Sequence, residues 1–290
     1  MRISLVHLLL VAVLTACACD RKPSTPPAKT TASGSPDEVA SARPSATGPL
    51  SEEEFKAMHQ LRTDAPPPLT GAMIDLAGSR AYLSLPKDAS GPRPGIVVIH
   101  EWWGLNDHIK HWTDRLAGLG WAALAVDLYG GKVATNPDDA MSYMKGLDEA
   151  GSAQVMSAAL EFLASDPRIK ATRRAVIGWC FGGGWSLKTA LTHPELDAAI
   201  LYYGRLESDP ARLAAIKAEV LGIFGNRDQG IPPADVDAFD AGLTKAGVRH
   251  AIVRYDADHA FANPSNPKYD QKAAGDAWEH VKALLGRTAK

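Results

Sequence analysis

The chain of 290 residues has few cysteines, no excess of either charge and no apolar run long enough to cross a membrane. Its three cysteines are Cys17, Cys19 and Cys180. Three thiols cannot build the disulfide framework of a small secreted scaffold. Two of them lie beside the N-terminus, which leaves Cys180 alone in the body. The 31 Lys and Arg nearly balance the 33 Asp and Glu, for a net charge of −2. A nucleic-acid binder would show a basic excess, so no nucleic-acid partner is expected. No group of His, Cys, Asp and Glu has metal-ligand spacing, so neither metal nor other cofactor is expected. What is present is ordinary for a globular protein: 46% apolar and 22% charged residues. That balance excludes a wholly disordered, collagen-like or multi-span chain. The length fits one domain of roughly 200–250 residues with further segments attached.

The N-terminus reads as a targeting segment. Arg2 supplies a basic start, and Leu8 to Leu14 is an unbroken apolar run of seven. A bilayer span needs about 20 such residues, whereas a secretory signal needs fewer. The run ends in Leu14-Thr15-Ala16-Cys17, which resembles the lipobox of bacterial lipoproteins. The resemblance implies a signal peptide over residues 1–16, cleavage before Cys17, and a diacylglycerol on its thiol. Cys19 is the rival, but the small pair Thr15-Ala16 directly precedes Cys17. Two acyl chains suffice for stable anchoring. The expected location is therefore the bacterial cell envelope, with the membrane as a partner through this lipid.

Residues 17–68 read as a tether. Positions 23–49 are mostly Pro, Ser, Thr, Ala and Gly, with Val39 the one larger apolar residue. Such a stretch buries too little surface to offset its ordering entropy and should be extended and mobile. Ser51-Glu52-Glu53-Glu54 resembles a capping box and predicts a short helix over 51–62, ended by Pro66-Pro67-Pro68.

Residues 69–290 alternate between two periodicities. Strands are predicted at 73–76, 81–85, 95–99, 122–126, 174–178, 198–202, 220–224 and 251–255, with a hairpin turn at Gly78-Ser79. Helices are predicted at 106–118, 141–163, from Gly182 to His193, 236–245 and 273–285. Regular β–α alternation argues for an α/β domain with a mainly parallel central sheet and helices on both faces. In such sheets the chemistry lies at the carboxyl ends of the strands. Titratable and aromatic residues do follow the strands: His100 to Trp103, Asp127 to Tyr129, Cys180, Tyr203, Asp228 and His259.

Gly178-Trp179-Cys180-Phe181-Gly182 follows the nucleophile-elbow pattern, with cysteine where serine is usual. The glycines admit close backbone approach. The helix N-terminus that follows favours a thiolate over a thiol. In this pattern the chain order is nucleophile, acid, histidine. Asp228 and then His259 fit that order. His259 would take the thiol proton, and Asp228 would orient the imidazole. Asp256 and Asp258 lie too close to His259 to match the order, and none of His100, His108, His111, His193, His250 and His280 lies in the loop directly after the last strand.

Together with His100-Glu101-Trp102-Trp103-Gly104-Leu105-Asn106, Asp127-Leu128-Tyr129-Gly130 and Tyr202-Tyr203-Gly204, these residues resemble the dienelactone hydrolase family of the α/β-hydrolase fold over about residues 70–288. The resemblance implies hydrolysis of a small-molecule ester or lactone through an acyl-thioester on Cys180. It implies that Glu101 takes the resting thiol's proton when substrate binds. It also implies an oxyanion hole formed by the backbone N–H groups of Trp102 and Phe181. Trp103, Tyr129 and Asn263 are expected around the substrate, and the domain is expected to act as a monomer.

One departure concerns specificity. Family members that cleave dienelactones hold the substrate carboxylate with arginines, one of them four residues after the histidine. Here that position is Asn263, and residues 130–150 contain no arginine. Lys132 or Arg205 could replace the missing charges. Two other readings stand beside the lactonase: a broad carboxylesterase or thioesterase, and a non-catalytic envelope binding protein. Turnover of an aryl ester separates the last from the enzymes.

Overall fold

The computed structural model describes residues 68–87 and 91–290. The expected signal peptide, Cys17, the tether and the 51–62 helix lie outside the described residues. No helix of the described residues is long and apolar enough to cross a membrane.

The elements run β1 (Ala72–Leu76), β2 (Ser79–Ser84), β3 (Gly95–Ile99), α1 (Asp107–Gly118), β4 (Ala122–Val126), α2 (Pro137–Lys145), α3 (Glu149–Ser165), β5 (Arg174–Trp179), α4 (Phe181–Thr192), β6 (Ala198–Tyr202), α5 (Pro210–Leu213), β7 (Glu219–Gly225), α6 (Pro233–Ala246), β8 (His250–Tyr255) and α7 (Gln271–Thr288). They form one eight-stranded sheet in the order β1-β2-β4-β3-β5-β6-β7-β8. β2 pairs antiparallel with both β1 and β4, and the remaining pairs are parallel. The sheet therefore matches the predicted layout.

Two details differ. The helix expected over 141–163 is two helices, because the chain breaks at Gly146 and restarts where Asp148 caps α3 by accepting from Ala150 and Gly151 N–H. The hairpin turn is Ala77-Gly78 rather than Gly78-Ser79. Both residues have positive φ (48° and 78°), the left-handed geometry that joins two twisted strands through two residues.

The central strands are apolar throughout because both faces are covered. Val97, Ile99, Leu124, Val126 and Val176 pack on one side with α3, α4 and α6. Ile96, Val98, Ala123, Ala125 and Ile177 pack on the other with α1 and α7. A Leu- or Ile-sized side chain buried this way stabilises the fold by about 1.5–3 kcal/mol. On the second face the buried Arg115 guanidinium lies 4.8 Å from the Trp112 ring centre and 4.2 Å from that of Trp278, so it clamps α1 to α7. The parallel strands bring the ends of β3, β5, β6, β7 and β8 to one edge, where the candidate residues meet.

Candidate active site

Cys180 joins β5 to α4 with no intervening residue. Its φ of 52° and ψ of −114° are strained for a side-chain-bearing residue. The turn holds because its neighbours lack side chains. A Cβ on Gly178 would strike the Gly182 carbonyl, and one on Gly182 would strike the carbonyls of Ile99 and His100. The elbow is therefore pressed onto the end of β3. The Cys180 N–H donates to the Tyr202 carbonyl at 3.0 Å, which ties the turn to β6.

His259 follows β8, and its Nδ1 lies 2.6 Å from Asp228 Oδ2. Asp228 follows β7 and is only 3% exposed. Its Oδ1 accepts from Gly230 N–H at 2.8 Å and Ile231 N–H at 3.1 Å. Burial alone would raise the Asp228 carboxyl. The His259 contact and the two backbone donors outweigh it and hold the group below its ordinary value. Burial would likewise lower the imidazole of His259. Hydrogen bonding to Asp228 and the nearness of Cys180 win, and push it up to about 10.

Glu101, just beyond β3, is also 3% exposed. Its Oε2 accepts from Asn263 Nδ2 at 2.6 Å, while its buried Oε1 has no hydrogen-bond partner among the described residues. Burial pushes this carboxyl up to about 7, against the opposing pull of His259 and the Asn263 amide. Next to it, His100 is fully buried and held neutral, its pKa lowered to about 4 chiefly by burial. Its Nδ1 lies 2.5 Å from the Glu101 carbonyl, and its Nε2 accepts from Leu128 N–H at 3.2 Å. Those two bonds fix one tautomer, with the proton on Nδ1. Asp127 ties down the next loop by accepting from the N–H groups of Tyr129 and Gly131. Phe181, as the first residue of α4, has no intrahelical acceptor for its N–H. Its ring stacks on His100 at 5.5 Å.

A cavity of about 670 Å³ opens over Cys180 and His259, walled by Phe181, Trp185, Leu147, Leu191 and Tyr203. Among the described residues, no group of three or more His, Cys, Asp or Glu could hold a metal ion.

The sequence model of the dienelactone hydrolase family matches residues 79–289. The chain belongs to the dienelactone hydrolase family. It is thus a hydrolase with the α/β-hydrolase fold. A protein of Methylorubrum extorquens named "Putative carboxymethylenebutenolidase" is 35% identical over 216 residues, covering 69% of this chain and 74% of that protein. A structure described as a putative dienelactone hydrolase from Klebsiella pneumoniae is 30% identical with a TM-score of 0.65, covering 74% of this chain and 99% of that one. A dienelactone hydrolase-like promiscuous phosphotriesterase from metagenomic libraries is 29% identical with a TM-score of 0.70, covering 76% and 99%.

Within this dienelactone hydrolase domain, Cys180, Asp228, His259 and Glu101 come together at one edge of the sheet. Trp102 and Phe181 flank them, on the turn after β3 and at the start of α4. The three expected pocket residues are placed differently. Trp103 packs edge-on against Trp102 at 5.0 Å between ring centres. Tyr129 is buried against His100, Tyr143 and Phe181, behind the cavity wall but within electrostatic reach of Cys180. Asn263 is 6% exposed, and its amide is engaged by Glu101 and by Ser265 N–H. None of the three lines the cavity over Cys180. The loop anchors His100 and Asp127 were visible only as polar residues after strands. A buried polar group at a strand end that accepts backbone N–H bonds is the signal that marks them, and it needs coordinates to be seen.

Proposed function

We propose that this hydrolase cleaves an ester or lactone through Cys180, His259 and Asp228. The observation that carries the reading is the 2.6 Å bond between His259 Nδ1 and Asp228 Oδ2, with the elbow cysteine beside the same imidazole. Glu101 accepts the thiol proton on substrate binding, which leaves a thiolate on Cys180. The sulfur attacks the carbonyl carbon, and the resulting oxyanion lies against the N–H groups of Phe181 and Trp102. Collapse breaks the carbon–oxygen bond, and the imidazolium of His259 protonates the leaving alkoxide. In a lactone that alkoxide stays on the acyl chain. Water then gives one proton to His259 and its oxygen to the thioester carbon. Expulsion of sulfur releases the acid, and the proton on Glu101 returns to the thiolate.

Replacing Cys180 by Ala should abolish hydrolysis of activated aryl esters. Rapid quenching of the wild type should yield a species heavier by one acyl group on the peptide containing Cys180. Full turnover by the alanine variant would refute the mechanism.

The order of basic residue, apolar run, Thr15-Ala16 and Cys17 supports a second proposal, lipid attachment of the chain to a membrane of the cell envelope through Cys17. Mass spectrometry of the mature N-terminus tests it. A diacylated Cys17 is expected, and a mature chain starting elsewhere without lipid would exclude the anchor.

A further inference from the structure

Asn263 contacts Glu101 across 162 residues of sequence, and its side chain has little freedom. Its Oδ1 accepts from Ser265 N–H at 2.9 Å, so its Nδ2 must face Glu101. Its own N–H donates to the Ala260 carbonyl at 3.0 Å, and its carbonyl accepts from Asn266 N–H at 2.9 Å. It therefore sits on a loop braced at both ends, and that loop also carries His259. Glu101 is equally confined. One oxygen is taken by Asn263, and the other is buried without a partner among the described residues. A buried carboxyl oxygen in that condition is costly unless something arrives to use it. Of the titratable groups around it, His259 on the Asn263 loop and Tyr203 after β6 interact electrostatically with Glu101, and each of those two interacts in turn with Cys180 on the elbow.

We propose that Asn263 is a positioning residue. Its rigid, uncharged amide orients Glu101 by holding Oε2 and leaves Oε1 for the proton exchange with Cys180 that the mechanism assigns to this carboxyl. The inference rests on the cysteine mechanism proposed above. Its physical core is the charge of the donor. A neutral amide favours the carboxylate only modestly, whereas a guanidinium in the same place would lower the carboxyl by roughly one to three pH units. Glu101 could not then hold a proton near pH 7. An aliphatic residue at 263 would have the opposite effect, because it removes the one donor that favours the charged form.

The test reads the thiol directly. The alkylation rate of Cys180 by iodoacetamide is measured against pH in the full chain, for wild type, Glu101→Gln, Asn263→Leu and Asn263→Arg. The wild type is expected to show a step in the neutral range that Glu101→Gln lacks. Asn263→Leu should move that step upward by about one pH unit and Asn263→Arg should move it downward, with plateau rates within about threefold of wild type. Infrared difference spectra of the wild type supply a second readout that needs no Asn263 variant to fold. The protonated-carboxyl band assigned to Glu101 should be present at pH 6 and gone at pH 9. A step that stays in place in both folded Asn263 variants would overturn the proposal. So would a Glu101 band absent at pH 6. A step that survives Glu101→Gln would overturn the proton role of Glu101, while leaving the Cys180→Ala test of the nucleophile intact.

Discussion

The ends of β7 and β3 each carry a carboxyl group within electrostatic reach of the same imidazole, and each residue is 3% exposed. They behave oppositely. Asp228 receives a histidine and two backbone N–H groups and is held as an anion below its ordinary range. Glu101 receives one neutral amide, keeps an orphaned oxygen and is raised to about 7. Burial raises both, and more strongly for Glu101, whose carboxyl is enclosed on all sides while that of Asp228 is only partly so. Depth together with the number and charge of the donors decides which group is a fixed counter-charge and which one carries a proton.

The harshest way to break this contrast is Asp228→Asn. It keeps the shape but removes the charge that holds His259 as a donor. A loss in kcat on the order of 10³–10⁴ is expected, as for the equivalent change in serine triads, with aryl-ester turnover as the readout. Glu101→Gln should cost less, on the order of 10² in kcat/KM, and should remove the acidic limb near pH 7 that Asp228→Asn retains. Parallel pH profiles of the two variants check both statements, and equal profiles would erase the distinction.

A smaller effect appears in stability. The folded chain holds the Glu101 proton up to about pH 7, whereas an unfolded one releases it near 4.5. The folded state thus binds more protons in that window, so this group's contribution to stability falls as pH rises through it, by about 3 kcal/mol. Asp228 has the opposite sign: its contribution is present above the ordinary aspartate range and is lost as pH falls. Urea titrations at pH 5 and 8 should therefore show a flatter pH dependence in Glu101→Gln than in wild type.

The smallest effect concerns a third carboxylate, one that a substrate could bring. On the cavity wall Lys188 pairs with Glu149 and Arg212 with Glu207, while Arg205 makes no direct ion pair among the described residues and only adds to the field at Glu149. Arg205→Ala should lower the preference for an anionic substrate over its methyl ester by about tenfold in kcat/KM, one charge-assisted bond's worth. An unchanged ratio for a matched acid and ester pair would remove Arg205 from recognition.

The strands, their order of chemistry and the elbow were legible because short unbroken apolar runs and the Gly-Trp-Cys-Phe-Gly signature are local. The break at Gly146 was signalled by Asp148 but masked by apolar residues on both sides, which read as one long helix. The four residues of α5 are too few to show a period. Asn263 was legible as a neighbour of His259, but the direction of its side chain was not. That direction depends on a partner at the end of β3 and on a backbone N–H two residues further on, and neither leaves a trace in spacing.

The elbow has a consequence for how the protein can change. Gly178 and Gly182 face carbonyl oxygens so closely that even a methyl group is excluded, while the Cys180 side chain is half-exposed to the cavity. The side chain that the proposed mechanism uses is thus the replaceable part of its own turn. Sulfur can be exchanged for oxygen at position 180 without disturbing the backbone around it, whereas the surrounding glycines admit no substitute, so variation in the chemistry is permitted and variation in its mounting is not.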